Sequence, residues 1–148
     1  QQAAKTDPTN DRAKLELARL QAYLGHADEA ETTLASLSAE AKASTDAVGL
    51  RAQLEFARIV TSARPPEELL PAIAANARDS TARYELAAHL VLRQQYEAAL
   101  DQLLEIVRTD RKFRDDAGRK AMVSIFNLLG GSGDIVRQYR TKLSMALN

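Results

Sequence analysis

Residues 81–107 read TARYELAAHLVLRQQYEAALDQLLEIV, two amphipathic helices in immediate succession. Leu86, Ala87, Leu90 and Val91 form the first apolar stripe. Tyr96, Ala99, Leu100, Leu103, Leu104 and Val107 form the second, at the i, i+3, i+4, i+7 spacing of one helix face. Only the three polar residues Arg93, Gln94 and Gln95 stand between them. That is too short for a crossover, so the helices must double back as an antiparallel hairpin. Ala87 and Ala99 are small where the two axes need to approach. A lone hairpin would leave apolar faces in water, so it requires neighbours of its own kind.

One such neighbour lies upstream. Ala18 and Ala30 are twelve residues apart, as are Ala87 and Ala99, and Leu17 to Leu34 repeats as Leu86 to Leu103. The offset is 69 residues, about two periods of a ~34-residue helical-hairpin repeat. In this first unit, polar residues 1–8 are expected to fray, and Asp7 or Thr9 can cap a helix running to about Leu24. Leu15, Leu17, Ala18 and Leu20 are its apolar residues. Gly25-His26 breaks it, and Asp28 opens a second helix carrying Ala30, Leu34 and Leu37.

A degenerate middle unit is expected between the two. Ser44-Thr45-Asp46 caps a third helix reaching about Ala63, with Leu50, Leu54, Ala57 and Val60 inward. Arg64-Pro65-Pro66 ends it. Pro66-Glu67-Glu68 starts a fourth, with Leu70, Ile73, Ala74 and Ala77 as its stripe and a local kink at Pro71. Asp79-Ser80-Thr81 then caps the hairpin described above. Beyond it, Asp115-Asp116 starts a helix with Ala121, Met122, Ile125, Phe126 and Leu129 on one side. Gly130 to Gly133 stops that helix, and Asp134 caps a last one. No strand of useful length is present. The expected fold is all-α, a right-handed superhelix of about eight antiparallel helices, in a single domain over residues 1–148.

Charge and composition narrow the function classes. Lys and Arg total 20, as do Asp and Glu, so no global field draws the chain to nucleic acid or to a membrane surface. From residue 106 onward nine basic residues face four Asp, which leaves +5 there and −5 in residues 1–105. Cysteine is absent, which removes thiolate catalysis and disulfide scaffolding from this segment. The longest uncharged apolar-looking run, 121–133, is too short to span a bilayer. The chain begins at Gln1 rather than Met and reads as an excised piece.

No constellation combines a nucleophile, a base and an orienting group, so no catalytic residue, metal or cofactor is expected. His26 and His89 have no second ligand at metal spacing; Glu85, four residues before His89, suits a surface pair. Gly130 to Gly133 lacks the Lys-Ser/Thr of a phosphate loop, and Asp134 puts a carboxylate where the anion would sit. Asp115-Asp116 and Glu67-Glu68 fall at helix starts, where the helix dipole accounts for them. The basic run 108–114 contains Asp110 and has Phe113 as its one aromatic, a poor platform for nucleic acid.

Two surfaces are candidates for polypeptide partners. If the first helix of each pair lines a concave groove, Arg12, Leu15, Arg19, Tyr84 and Ala88 are its residues. In the last helix Ile135, Val136, Tyr139, Leu143 and Leu147 spread apolar groups over a wide arc, beside Arg140. Packing on the preceding helix would account for most of them.

The two hairpins with Leu17-Ala18, Ala30 and Leu34, and with Leu86-Ala87, Ala99 and Leu103, resemble tetratricopeptide repeats. They lack the early large aromatic and the closing proline, and Gln94 replaces the turn glycine that Gly25 supplies in the first unit. The C-terminal part is more specific. Arg83-x-x-Leu86-Ala87, Tyr96-x-x-Ala99-Leu100-x-x-Leu103-Leu104, Arg119-Lys120-x-Met122, Ile125-Phe126-x-Leu128-Leu129-Gly130 and Tyr139-Arg140-x-x-Leu143 resemble the end of the bacterial chaperedoxin family. The likeness is strong over residues 83–148 and one of layout over 1–82.

That family joins a thioredoxin-like domain to a tetratricopeptide region. The resemblance therefore implies a bacterial, cytoplasmic, stress-response co-chaperone without catalysis in this segment. It would hold unfolding client proteins and pass them to the chaperonin and to DnaK-type chaperones. The chaperonin contact would lie in the last helix, residues 134–148, through Ile135, Val136, Tyr139, Arg140, Leu143 and Leu147. A generic tetratricopeptide scaffold for a peptide of another assembly is the alternative.

Overall fold

The structure, a computed structural model, describes residues 8–148, and among them every regular element is helical. The helices are α1 Pro8–Tyr23, α2 Ala27–Ala35, α3 Ala39–Lys42, α4 Thr45–Ser62, α5 Pro66–Ala75, α6 Ser80–Leu92, α7 Tyr96–Thr109, α8 Ala117–Leu128 and α9 Asp134–Leu147. The chain is an all-α superhelix of repeats. The single-turn α3, unforeseen from the sequence, exists because Ser38 caps it, its hydroxyl accepting from the Ala41 N–H at 3.2 Å. The cap expected from Asp7 and the fraying of the first residues lie outside the described residues.

The 69-residue repeat is visible in the backbone. α1 and α2 form one hairpin, and α6 and α7 the other. Each turns through the same helix-ending motif. Gly25 N–H donates to Ala22 O and His26 N–H to Gln21 O; Gln94 N–H donates to Val91 O and Gln95 N–H to Leu90 O. The pivot residue is left-handed in both, φ 84° at Gly25 and 61° at Gln94. A glutamine thus occupies a conformation that costs a residue with a Cβ roughly 1 kcal/mol.

A polar clasp closes the far end of each hairpin, with donor and acceptor exchanged. In the first, buried Asp11 accepts from the Ser38 N–H at 3.1 Å and from its hydroxyl at 2.6 Å. In the second, the Ser80 hydroxyl donates to Asp110 at 2.8 Å.

The middle of the chain departs from the expected hairpin. α5 packs on α6, and α4 packs on α2, α6 and α8 instead. α4 can do so because it is apolar on two faces. Ala47, Leu50 and Leu54 join Ala18, Ala30, Leu34 and Leu37 in one core. Phe56, fully buried, joins the larger core built from α6, α7, α8 and α9. Arg58 adds an outer tie to α2, reaching Asp28 at 2.7 Å and Glu31 at 2.5 Å. That bond holds the Glu31 carboxyl below its ordinary value. Being exposed, it contributes little to stability.

The α5 stripe is shifted by one residue from the expected one. Leu69 is buried, with Ala72 and Ile73 packed beside it, whereas Leu70 faces solvent and Ala77 lies past the helix end. Positions 69, 72 and 73 share a face at i, i+3, i+4, and that face meets Ala82 and Leu86. Helix α8 comes close to α7 at Gly118, where a Cβ would stand 3.1 Å from the Ile106 side chain. Finally, α9 packs on α7 rather than on α8.

Candidate protein-binding surfaces

The groove expected from the first helices of each pair is divided by α4. Arg12, Leu15 and Arg19 do come together, lining a cavity of about 310 Å³ closed by Leu37, Ala41, Ser44 and Asp46. Arg19 is held across its mouth, 2.8 Å from Glu16 and 3.3 Å from Asp46. Leu15 is half-buried against the first core.

Tyr84 lies in a separate cavity of about 380 Å³, with Phe56, Ile59, Arg114 and Lys120. Its ring meets Phe113 edge-on, centroids 5.7 Å apart, and the Arg114 guanidinium sits 5.4 Å above it. Burial pushes the Tyr84 hydroxyl above its ordinary value. Ala88 lines no groove at all. It has no exposed surface and belongs to the same core cluster as Phe56 of α4.

Arg114, Asp115 and Asp116 all take left-handed backbone, φ 45°, 59° and 66°. Aspartate tolerates this conformation through local hydrogen bonding, but arginine does not favour it. Stacking of the Arg114 guanidinium over Tyr84 and Phe113 offsets the cost. Asp116 and Asp115 pair with Arg119 and Lys120, at 2.5 and 3.0 Å.

Glu85 and His89 do not pair with each other. Glu85 accepts from Arg64 at 3.0 Å, and His89 Nε2 lies 2.9 Å from the Arg64 carbonyl oxygen, which can only accept. Both residues clamp the start of α5 onto α6.

The apolar arc of the last helix is core rather than surface. Val136, Tyr139 and Leu143 are buried, and Ile135 and Leu147 pack against the same cluster. The reason is that α7 presents a matching stripe, and the Tyr139 hydroxyl donates to Asp101 of α7 at 2.6 Å. Arg140 remains exposed, its guanidinium 5.6 Å above the Phe126 ring, and Met145, a separate position about 140° round the helix, is the one large apolar side chain of α9 in solvent.

The surface that sequence reasoning missed is the outer face of α1. Leu17, Leu20, Tyr23 and Leu24 are 47, 53, 87 and 56% exposed. Reading Leu15, Leu17, Ala18 and Leu20 as one stripe overlooked the helical angle. At 100° per residue, Asp11, Ala18 and Ala22 point one way, and Ala13, Leu17, Leu20 and Leu24 point the other. A helix apolar on opposite sides is normally covered on both. Tyr23 also lines a cavity of about 660 Å³ between α1, α4 and the end of α8. Arg19, Ala22, Leu50, Gln53 and Leu128 form its walls.

Stacked helical hairpins with apolar side chains and open cavities between them define a repeat scaffold for binding protein. The tetratricopeptide repeat family matches residues 59–148, and a second tetratricopeptide repeat profile matches residues 1–54; the chain belongs to this family. The two matches meet within α4, the helix that serves both cores. No curated protein and no solved structure matches the chain. Among the described residues no helix is long and apolar enough to cross a membrane.

Proposed function

We propose that this chain is the client-holding region of a chaperedoxin-like co-chaperone, which binds unfolding polypeptides by apolar contact and delivers them to the chaperonin. Membership of the tetratricopeptide repeat family supports a protein-binding scaffold. The likeness of residues 83–148 to the chaperedoxin end supports the co-chaperone role. The observation that carries the holding function is the uncovered stripe Leu17, Leu20 and Leu24. An apolar face of this kind on a folded protein marks an interaction surface. It offers a partner hydrophobic area without demanding a sequence, as holding varied clients requires.

Delivery is assigned to the exposed residues Arg140 and Met145 of α9. Removing α9 would not test this, because Val136, Tyr139 and Leu143 belong to the core. The test uses two variants. The double variant Leu17→Glu, Leu20→Glu should stop suppressing the aggregation of a heat-denatured client while keeping its helical circular dichroism. Arg140→Glu with Met145→Glu should still hold client but lose capture of the chaperonin. Full suppression by the α1 variant would refute client holding through α1. Chaperonin capture unaffected by the α9 variant would leave a generic scaffold as the better reading.

A further inference from the structure

Arg114 is fixed in position and has no carboxylate to pair with. Its left-handed backbone, φ 45°, is disfavoured for arginine, and Asp115 and Asp116 share that conformation. What the strain secures is the place of the side chain. The guanidinium lies 5.1 Å from the Phe113 ring centroid and 5.4 Å from that of Tyr84. Stacking of this kind uses the flat face of the guanidinium and leaves its in-plane N–H donors open. Among the described residues none of those donors meets an acceptor. The other charges of the same cavity are engaged. Arg58 is bound by Asp28 and Glu31, Lys120 by Asp115, and Glu55 accepts from the Ser124 hydroxyl at 3.0 Å. Asp116, next along the chain, is held by Arg119. The Tyr84 hydroxyl likewise makes no hydrogen bond among the described residues, and burial favours its protonated, donating form. The rest of the wall is apolar, Phe56 and Ile59 from α4 and Ala117 and Ala121 from α8.

From this arrangement we infer that the cavity takes one aspartate or glutamate side chain of a partner polypeptide, flanked by apolar residues, with Arg114 gripping its carboxylate. One cation without a partner matches one negative charge. A doubly charged phosphate would meet Glu55 in the same wall, so the single charge of a carboxylate fits better. The cavity, about 380 Å³, is larger than a carboxylate fills. Its apolar walls come from two helices and match an apolar neighbour before and after the acid. A chain end has a neighbour on one side only. Because two rings already hold the guanidinium, binding orders little that is not ordered beforehand, which separates this contact from an ordinary exposed ion pair. The site shares no residue with the α1 stripe. It adds an electrostatic contact for partner chains and does not depend on client holding through α1.

The probe is the peptide Ser-Gly-Leu-Glu-Leu-Gly-Ser, acetylated and amidated at its ends, titrated into the isotope-labelled full chain and followed by NMR. Saturable shifts are expected at the Arg114 side-chain N–H and the Tyr84 amide, with Kd on the order of 1 mM or below. Glutamine in place of the peptide's glutamate should weaken binding roughly tenfold or more, since the charged hydrogen bonds are lost. Arg114→Gly should weaken it as much. Glycine is at ease at φ 45°, so that variant should keep its helical circular dichroism. Arg114→Lys keeps the charge but not the planar fork and should fall between the two. Titration without saturation overturns the inference, as does equal binding of the glutamine peptide or by the Arg114→Gly chain. Binding seen only when the peptide ends in a free carboxylate would make the ligand a chain end. Displacement by inorganic phosphate where equal acetate has no effect would make it a phosphate site. Either of these results also refutes the assignment.

Discussion

Leu17 and Leu86 are the same residue at the same position of a repeat, and they separate what the repeat specifies from what neighbours add. Leu86 is 4% exposed beneath α5, and Leu17 is 47% exposed on α1. Leu86→Ala removes a fully packed side chain and leaves a void among Leu69, Ala82 and Ile73; the expected loss is about 2–5 kcal/mol. Leu17→Ala deletes atoms that are half in water and creates no closed cavity, so its loss should be about 1 kcal/mol or less. Urea denaturation followed at 222 nm, at two protein concentrations, measures both. With a slope of about 1–3 kcal/mol/M, Leu86→Ala should lower the midpoint by roughly 1 M or more. Leu17→Ala should move it by a few tenths. Thermal midpoints should drop roughly 4–20 °C and at most about 4 °C, respectively. Equal losses, independent of concentration, would refute the assignment of α1 as an uncovered face.

Three further outcomes follow from the same structure. Gln94→Gly should stabilise the chain by about 1 kcal/mol, because φ 61° is free of Cβ strain only for glycine; a lower urea midpoint would contradict this. Phe56→Ala should cost about 3–5 kcal/mol, since its ring is how α4 enters the larger core. A loss below about 1 kcal/mol by chemical denaturation would mean that α4 does not bridge the two cores. Burial, and then the bond to Asp101, raise the Tyr139 hydroxyl above its ordinary value, so the folded state keeps a proton that the unfolded chain releases near pH ~10. The stabilisation is complete below that pH and is lost as pH rises through it toward the folded value. Tyr139→Phe should cost about 1 kcal/mol at pH 7 and flatten the alkaline fall in stability.

The fold was legible because its signals are local. Turn chemistry at Gly25, caps at Ser44 and Asp79, Pro66 at a helix start, and two 3.6-residue stripes across residues 81–107 each act within a few residues. The candidate surfaces were much less legible. A stripe states that a helix face wants cover but not which neighbour provides it. Val136, Tyr139 and Leu143 looked available for a partner until α7 was seen to claim them. Ala88 looked like groove until Phe56 of α4 was seen in its cluster.

The amino-acid sequence by itself determined every helix but α3, the pairing of α1 with α2 and of α6 with α7, and the 69-residue repeat, because short-range hydrogen bonding and periodicity decide them. Only the tertiary structure decided that α4 would bridge two cores, that α9 would bury its stripe, and that α1 would keep an apolar face in water. Those outcomes depend on which surfaces meet across long stretches of chain. Two leucines, each at the centre of a Glu-Leu-Ala tripeptide, can therefore end on opposite sides of the solvent boundary.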